Sequence, residues 1–152
     1  MPDVPDDAVK LAEHFEGFSA TPYQDSTGVW TIGYGTTRDL LCNPVTKNTS
    51  PVTPDLAEGL MRRDLRAALS TVTDDVKVPL TYNEEAALVD FIYNVGSGNF
   101  AASTLLRKLN AGDYPGAAAE LLRWTHAGGV VLAGLVLRRQ AEREEFMRGQ
   151  SA

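Results

Sequence analysis

Hydrophobic residues recur with helical spacing near the start of the chain. Four of them fall at positions i, i+3, i+4 and i+7, which form one stripe of an amphipathic helix: Ala8, Leu11, Ala12 and Phe15. Asp6 or Asp7 can cap the start of this helix and suits the positive end of its dipole. Gly17 is a natural stop. The pattern predicts a helix over residues 6–16.

Segment 18–50 has a different pattern, rich in glycine, threonine and β-forming residues. Asp25-Ser26-Thr27-Gly28 is a turn signal, and residues 29–34 alternate as in a strand. The alternation separates two faces: Trp30, Ile32 and Tyr34 on one, and Val29, Thr31 and Gly33 on the other. We expect the bulky face to be buried and Thr31 to point outward, toward open space. The segment predicts a small antiparallel sheet, followed by a mobile loop at 43–50.

A long helix is predicted in the middle of the chain. Thr53 is suited to cap it, and Pro54 to occupy its first position. Apolar residues then recur at near-helical spacing up to Lys77: Leu56, Leu60, Leu65, Leu69, Val72 and Val76. The helix over 54–77 is the longest of the predicted helices, and we expect it to connect two lobes.

Shorter helices are predicted in the rest of the chain. Thr81 and Glu84 have the spacing of a capping box, which opens a helix that runs through Ile92 and ends near Gly96. Three more helices are predicted, at about 100–110, 113–124 and 134–147. The predicted fold class is α+β, mainly α, with one small antiparallel sheet near the N-terminus.

Composition argues against several classes of partner and site. The 152-residue chain has a formal net charge of −6, which argues against nucleic acid as a partner. Cys42 is the only cysteine, so no internal disulfide can form, and only His14 and His126 could activate it as a nucleophile. We expect no metal site and no cofactor. No apolar run approaches the roughly 18 residues of a transmembrane helix, and the acidic N-terminus does not resemble a signal peptide. We therefore expect the chain to begin in the cytosol.

Two carboxylates and a hydroxyl are candidates for chemistry. Glu16 ends the first predicted helix, where unpaired carbonyl groups disfavour a negative charge, and Phe15 and Phe18 add desolvation. Both effects raise the pKa of a carboxyl group, as a general acid requires. Asp25 lies in a polar turn and should stay ionised, and Thr31 could help it to hold a water molecule. Such a set can hydrolyse a glycosidic bond. From spacing alone, a surface glutamate and a turn-forming aspartate explain the same residues equally well.

The spacing of these residues is also that of a known family motif. The motif has a glutamate, then an aspartate after eight intervening residues, then a threonine after five more. Glu16, Asp25 and Thr31 have this spacing. The strand that carries the threonine in the motif is matched by Trp30-Thr31-Ile32-Gly33-Tyr34-Gly35. In these residues the chain resembles phage-type lysozymes, a family that includes the T-even phage enzyme and the lambdoid phage endolysins; the lambdoid branch is the closer match. The likeness covers most of the chain apart from 1–8 and 41–52, and continues in several segments: 87–98, 103–106, 109–114, 123–124, 128–129, 134–135 and 138–139.

The resemblance implies the layout of the fold. It implies a single lysozyme-like domain over 1–152 with two lobes. The N-terminal lobe would cover about 13–55, and the linking helix about 54–77. The C-terminal helical lobe would cover about 78–148 and pack with the helix at 6–16.

The resemblance also implies an activity. Such enzymes hydrolyse the β-1,4 bond between N-acetylmuramic acid and N-acetylglucosamine in bacterial peptidoglycan. Glu16 would protonate the leaving oxygen, while Asp25 and Thr31 would position and activate water. This is an inverting arrangement, which needs roughly 6.5–9.5 Å between the carboxyl groups. The enzyme would be a monomer that waits in the host cytoplasm until a phage pore releases it to the cell wall in the periplasm. A non-catalytic wall-binding relative and a lytic transglycosylase, which forms an anhydro product, are the alternatives.

The resemblance extends to residues that would bind substrate. It points to six positions: Gly33, Gly35, Tyr93, Asn94, Ser103 and Thr104. Tyr93 and Asn94 match the helix end that lines the family's cleft. Ser103 or Thr104 matches a further position in the wall of that cleft. Trp30 and Trp124 are expected in the core rather than as platforms for sugar rings.

The chain departs from the family in two places. Thr36 stands where relatives usually carry a histidine, and we expect this to affect stability and pH response more than chemistry. Ala133 and Leu137 replace a proline and part of a basic run in the last helix. This leaves open which arginine orients the catalytic glutamate. Arg138 is the first candidate and Arg139 the second, and both could instead be surface arginines.

Overall fold

The computed structural model describes residues 3–148, so the ends of the predicted 1–152 domain lie outside the described residues. Within this range there are seven helices: α1 (Asp6–Glu16), α2 (Pro54–Asp75), α3 (Tyr82–Val95), α4 (Ser97–Ala101), α5 (Thr104–Asn110), α6 (Tyr114–Leu121) and α7 (Ala133–Arg148). Four strands form two small antiparallel sheets: β1 (Ser19–Gln24) with β2 (Trp30–Gly33), and β3 (His126–Ala127) with β4 (Val130–Val131). No helix in the described range is long and apolar enough to cross a bilayer.

Helix α1 has the predicted bounds but a different start. Pro5 is its N-cap residue and makes no side-chain capping bond. Asp6 and Asp7 lie inside the first turn, so the prediction that one of them caps the helix is wrong. Their charges still lie near the positive end of the helix dipole. At the other end Gly17, with φ of 67°, ends the helix directly after Glu16.

The first sheet forms around the predicted turn. Asp25 N–H donates to the carbonyl of Val29, and Gly28 N–H donates to the carbonyl of Asp25. Ile32 is fully buried, as expected, but Thr31 is only 4% exposed. Thr31 does border open space, the cavity between the first sheet, α2 and α3, but it is shielded from bulk solvent. The reason is tertiary packing, because α2 covers the small face of β2, where a Cβ on Gly33 would lie 3.0 Å from the Cβ of Ala57.

Helix α3 is the centre of the core. It packs against α1, α2 and α7, and its residues from Ala86 to Ile92 are all buried. Its start is the predicted capping box: Glu84 N–H donates to the Thr81 hydroxyl (3.1 Å), and Thr81 N–H donates to the Glu84 carboxylate (2.8 Å). The central position of α3 places the residues near its C-terminal end against both α1 and the first sheet.

Two features of the second half of the chain were not predicted. The segment expected as one helix at 100–110 is divided into α4 and α5, with Ser103 capping the start of α5. A second sheet, β3 with β4, forms at a turn where Gly128 and Gly129 both have positive φ (59° and 79°). This Gly-Gly turn is a hairpin signal, but its strands have only two residues each, too short to show alternation.

Candidate active site

A cavity of about 360 Å³ opens between the first sheet, α2 and the C-terminal end of α3. The three residues predicted to be catalytic, Glu16, Asp25 and Thr31, all line it. Tyr93 and Asn94 line the same space from α3. The structure therefore brings together, around one cavity, residues from α1, the turn after β1, β2 and α3.

The two oxygens of Glu16 have different surroundings. Oε2 is 2.6 Å from Nη1 of Arg138. Oε1 faces Gly35 so closely that a Cβ added there would lie 2.5 Å from it. Gly35 has φ of 86°, a conformation that favours glycine. This glycine makes room for the Glu16 carboxylate, so one oxygen is held by a cation and the other lies beside the turn after β2.

Asp25 is fixed in the turn by three hydrogen bonds to one oxygen. Its Oδ1 accepts from Thr27 N–H (2.8 Å), the Thr27 hydroxyl (2.8 Å) and Val29 N–H (2.9 Å). Partial desolvation opposes ionisation, but the bonds from Val29, Thr27 and Gly28 outweigh it and lower the pKa of Asp25. Oδ2 takes part in none of these three bonds. An ionised carboxylate oxygen is therefore available at the cavity.

Thr31 presents a hydroxyl oxygen at the cavity wall. Its hydroxyl donates to the carbonyl of Val29 (2.9 Å). The proton is thus engaged within the strand, and the lone pairs of Oγ1 are left to accept a hydrogen bond. Thr31 can bind water as an acceptor.

Tyr93 connects α3 to the first sheet. Its hydroxyl donates to the carbonyl of Tyr34 (2.6 Å). Burial and the negative charge of Glu16 raise the pKa of Tyr93, so this side chain is a neutral hydrogen-bond donor. The bond holds the sheet, with Gly35 next to it, against the helix that carries Asn94.

Of the two candidate arginines, it is Arg138 whose guanidinium contacts Glu16. Its other nitrogens bind Asp90 of α3, with Nη2 at 2.7 Å from Oδ1 and Nε at 3.0 Å from Oδ2. Arg139 instead pairs with Glu142, with Nε at 2.7 Å from Oε1, and lies over the ring of Phe91 at 5.0 Å. Arg138 is 3% exposed and Arg139 0%, so neither is a surface arginine.

Three residues expected to bind substrate do not line the cavity. Gly33 packs against α2. Ser103 is buried, and its hydroxyl accepts from Leu106 N–H and donates to the Phe100 carbonyl. Thr104 accepts a hydrogen bond from Arg107. Ser103 and Thr104 therefore act locally around the start of α5.

The expected core position of the tryptophans fits one of them well. Trp124 packs edge-on against the buried ring of Phe91, with centroids 5.5 Å apart. Trp30 is half-buried in β2, and neither residue lines the 360 Å³ cavity.

Sequence reasoning missed four polar residues of the cavity: Tyr23, Thr37, Asp64 and Ser97. Asp64 lies on α2, where Arg63 Nε is 3.0 Å from its Oδ1. Nothing in the spacing of a solvent-facing helix distinguishes such an aspartate from its neighbours. Thr36, at the position of the family histidine, is fully buried near the Tyr93 hydroxyl. Its own hydroxyl has no hydrogen-bond partner of normal geometry among residues 3–148.

The site offers carboxylates and a hydroxyl for chemistry. In the part of the chain that the structure describes, no group of three or more His, Cys, Asp or Glu side chains could hold a metal ion. What the cavity provides is a carboxylate beside a cation, an ionised aspartate and a hydroxyl acceptor. Two carboxyl groups in unlike environments are the basis of acid–base hydrolysis of a glycoside.

Comparison with known proteins agrees with this chemistry. The family profile described as phage lysozyme matches residues 13–142. The endolysin of Acyrthosiphon pisum secondary endosymbiont phage 1 is 39% identical over 140 residues, which cover 90% of this chain and 92% of that protein. The SAR-endolysin of Enterobacteria phage P21 is 40% identical over 136 residues, 89% of this chain and 79% of the relative.

A solved structure shows the same fold. The endolysin from Escherichia coli O157:H7 phage FAHEc1 superposes with a TM-score of 0.86 at 32% sequence identity, covering 96% of this chain and 94% of that chain. Sequence, fold and site chemistry agree that this chain is a lysozyme-type glycoside hydrolase, a phage muramidase that acts in host lysis. The chain belongs to the phage lysozyme family.

Proposed function

We propose that the protein hydrolyses the β-1,4 bond between N-acetylmuramic acid and N-acetylglucosamine with inversion, and that Glu16 is the general acid. The observation that carries this proposal is the asymmetry of Glu16. Arg138 engages Oε2, while Oε1 lies beside Gly35, at the cavity that also contains Asp25 and Thr31. One oxygen is held in place and the other can transfer a proton.

The proton for the leaving oxygen is carried on Oε1. A proton on Oε2 would point at the guanidinium of Arg138, which has no acceptor. The pair with Arg138 also restricts rotation of the carboxyl group, so the acid is oriented before substrate binds. General-acid assistance of this kind typically contributes about 10²–10⁴-fold in rate.

The attacking water is held by Asp25 and Thr31. Asp25 Oδ2 accepts a proton from the water, because the lowered pKa of Asp25 keeps it ionised and Oδ1 is fully engaged by the turn. Thr31 Oγ1 accepts a hydrogen bond from the second O–H of the water, which keeps that proton, because the Thr31 hydroxyl donates its own proton in the hydrogen bond to Val29. Two acceptors orient the oxygen lone pair of the water toward the anomeric carbon.

The acid assignment is tested by Glu16→Gln, which keeps the size of the side chain and removes the proton donor. We expect the rate at which the enzyme clears a turbid suspension of purified cell walls to fall by at least about 10²-fold. The far-UV circular dichroism spectrum should be unchanged. Glu13→Gln, on the same helix outside the cavity, is the control and should retain activity. Substantial activity of folded Glu16→Gln would refute the role of Glu16.

The water assignment is tested by Asp25→Ser and Thr31→Ala. Both should lower kcat because each removes one of the two acceptors for the water. If both variants turn over substrate at the wild-type rate, water is not positioned by this pair.

The reaction type is tested by the products. Mass spectrometry of the released muropeptides should show free reducing ends, and NMR at early times should show the inverted anomer. Anhydromuramic acid would indicate the transglycosylase alternative, which needs no water-holding pair. Binding to walls without any soluble product would indicate the non-catalytic alternative.

Substrate contacts are proposed for three residues of the cavity wall: Gly35, Tyr93 and Asn94. They line the same space as Glu16 and Asp25. The side-chain amide of Asn94 can both donate to and accept from sugar hydroxyl and acetamido groups. Asn94→Ala should raise KM on soluble muropeptides more than it lowers kcat; an unchanged KM would remove Asn94 from the substrate contacts.

We further propose that the enzyme acts as a monomer without nucleic acid and reaches the wall from the host cytoplasm through a phage pore. The net charge of −6 opposes binding to phosphate backbones, and the relatives named above are endolysins. Expression in Escherichia coli should leave cells intact until the inner membrane is permeabilised. Lysis without permeabilisation would refute this route, and light scattering gives the oligomeric state.

A further inference from the structure

Four charged side chains form a buried charge cluster behind Glu16: Asp90 of α3 and Arg138, Arg139 and Glu142 of α7. Each is at most 3% exposed. Buried charges are costly unless they are paired and hydrogen-bonded. The catalytic proposal uses only Arg138 of this cluster, and it leaves the other three without a function.

The contacts of Arg138 divide its guanidinium into two sides. Nε and Nη2 bind the two oxygens of Asp90 at 3.0 and 2.7 Å, a side-on bidentate pair that fixes the plane of the group. Nη1 alone reaches Glu16, at 2.6 Å. The Asp90 carboxylate thus determines which nitrogen faces Glu16 and in what direction.

We propose that Asp90 is a positioning residue, whose carboxylate orients Arg138 toward Glu16 and partly neutralises it, and so sets how strongly Arg138 attracts the ionised form of Glu16. This inference rests on the proposed function, in which Glu16 is the acid. Asp90 itself touches no substrate, because it is fully buried and outside the cavity lining.

The protonation of the cluster agrees with this role. Burial opposes the charge of Asp90, but the charge of Arg138 and a hydrogen bond from Glu142 outweigh it and lower the pKa of Asp90. Burial and the adjacent Asp90 carboxylate raise the pKa of Glu142. Asp90 is therefore the ionised partner of Arg138, whereas Glu142, whose Oε2 is 3.8 Å from Arg138 Nε, is the carboxyl of the two whose ionisation is disfavoured.

Other titratable and charged groups line the cavity or lie beside Arg138. They are Tyr23 and Asp25 from the first sheet and its turn, Asp64 from α2, Tyr93 from α3, and Arg139 and Glu142 from α7. None of them contacts the Arg138 guanidinium as Asp90 does. Glu142 is the nearest of them, with Oε2 3.8 Å from Arg138 Nε.

The first test is Asp90→Asn, which keeps the shape and removes the charge. Arg138 then has less counter-charge and attracts the Glu16 carboxylate more strongly. The alkaline limb of kcat/KM against pH should move toward acid by roughly one unit, with KM nearly unchanged. A folded Asp90→Asn enzyme with the wild-type limb would overturn the inference.

The matched control is Glu145→Gln. Glu145 is also a buried carboxylate of α7 (4% exposed), where it pairs with Arg148 (2.9 Å) and accepts from Asn83 (2.5 Å) without contacting Arg138. Its loss should lower the melting temperature but leave the pH limb in place. An equal shift in both variants would show that any buried charge of this helix moves the profile, and would overturn the specific role of Asp90.

A second variant, Arg138→Lys, keeps the charge and so tests the geometry, even if Asp90→Asn does not fold. Lysine lacks the planar fork and cannot bind both oxygens of Asp90 while reaching Glu16. We expect kcat to fall by about tenfold or more, and wild-type kcat would overturn the inference. The activity of Glu16→Gln separates this inference from the proposed function. If Glu16→Gln stays active, the assignment of Glu16 as the acid fails. If Glu16→Gln is inactive and the pH profile of Asp90→Asn is unshifted, only the role of Asp90 is refuted.

Discussion

Gly35→Ala tests whether the space for the Glu16 carboxylate depends on a missing side chain. A Cβ at Gly35 would lie 2.5 Å from Glu16 Oε1 and 2.7 Å from Cδ. Ordinary van der Waals contact begins near 3.4 Å, so the carboxylate must withdraw by about 0.9 Å, the difference between 3.4 and 2.5 Å. Oε2 is held 2.6 Å from Arg138, so the acid can move only by disturbing this ion pair.

Two separate losses are expected from this substitution. Alanine at φ of 86° costs about 1–2 kcal/mol of folding free energy, which lowers the melting temperature by roughly 2–8 °C in a chain of this size. Displacement of the acid by nearly 1 Å costs about 10²-fold in kcat. The first loss reports backbone strain and the second reports the position of Glu16.

Gly112→Ala separates the two effects. Gly112 has nearly the same φ (84°), and no atom lies within 4 Å of its added Cβ. It lies between α5 and α6, and it should show the loss in melting temperature without the loss in kcat. Both variants are assayed on soluble muropeptide oligomers well below their melting temperatures. Equal kcat for Gly35→Ala and Gly112→Ala would refute the conclusion that Gly35 makes room for the acid.

Three further outcomes are expected. The lowered pKa of Asp25 should place the acid limb of kcat/KM below the ordinary pKa of an aspartate. Thr27→Val removes one hydrogen bond to the ionised form and should move this limb upward. An unmoved limb would contradict the assignment of Asp25. Ser103→Ala should lower the free energy of unfolding by about 1 kcal/mol, measured by denaturant unfolding, because α5 loses its N-terminal cap. A raised KM would instead show that Ser103 binds substrate. Thr36→Val should leave stability unchanged or slightly higher, because a buried hydroxyl without a partner is replaced by a methyl group; a loss above about 1 kcal/mol would show that the hydroxyl is bonded.

Local signals predicted most of the fold. The bounds of α1 followed from a stripe of four apolar residues and a glycine, and the start of α3 followed from a capping box that the structure forms in full. These features depend on residues within one helical turn of each other, which is the range that spacing can describe. The hairpin of β3 and β4 was missed because strands of two residues leave no periodicity to detect.

The burial of Thr31 shows what local patterns leave out. Alternation along β2 placed Thr31 on the face with small residues, which is correct for the strand alone. Whether that face is open depends on α2, more than twenty residues later in the chain, which packs against Gly33. A strand pattern gives two faces but not what covers each of them.

The charge cluster behind Glu16 was hidden for a different reason. The buried residues of α7 are at positions 138, 139, 142, 145 and 146, which is the spacing of a helical stripe that faces a core. Four of the five are charged: Arg138, Arg139, Glu142 and Glu145. A search for apolar periodicity therefore passes over the stripe, although its spacing is regular. Buried charges persist only when they are paired. A stripe of two arginines followed by two glutamates on a helix that must pack is therefore itself a signal for an internal ion-pair network, and here that network ends at the Glu16 carboxylate.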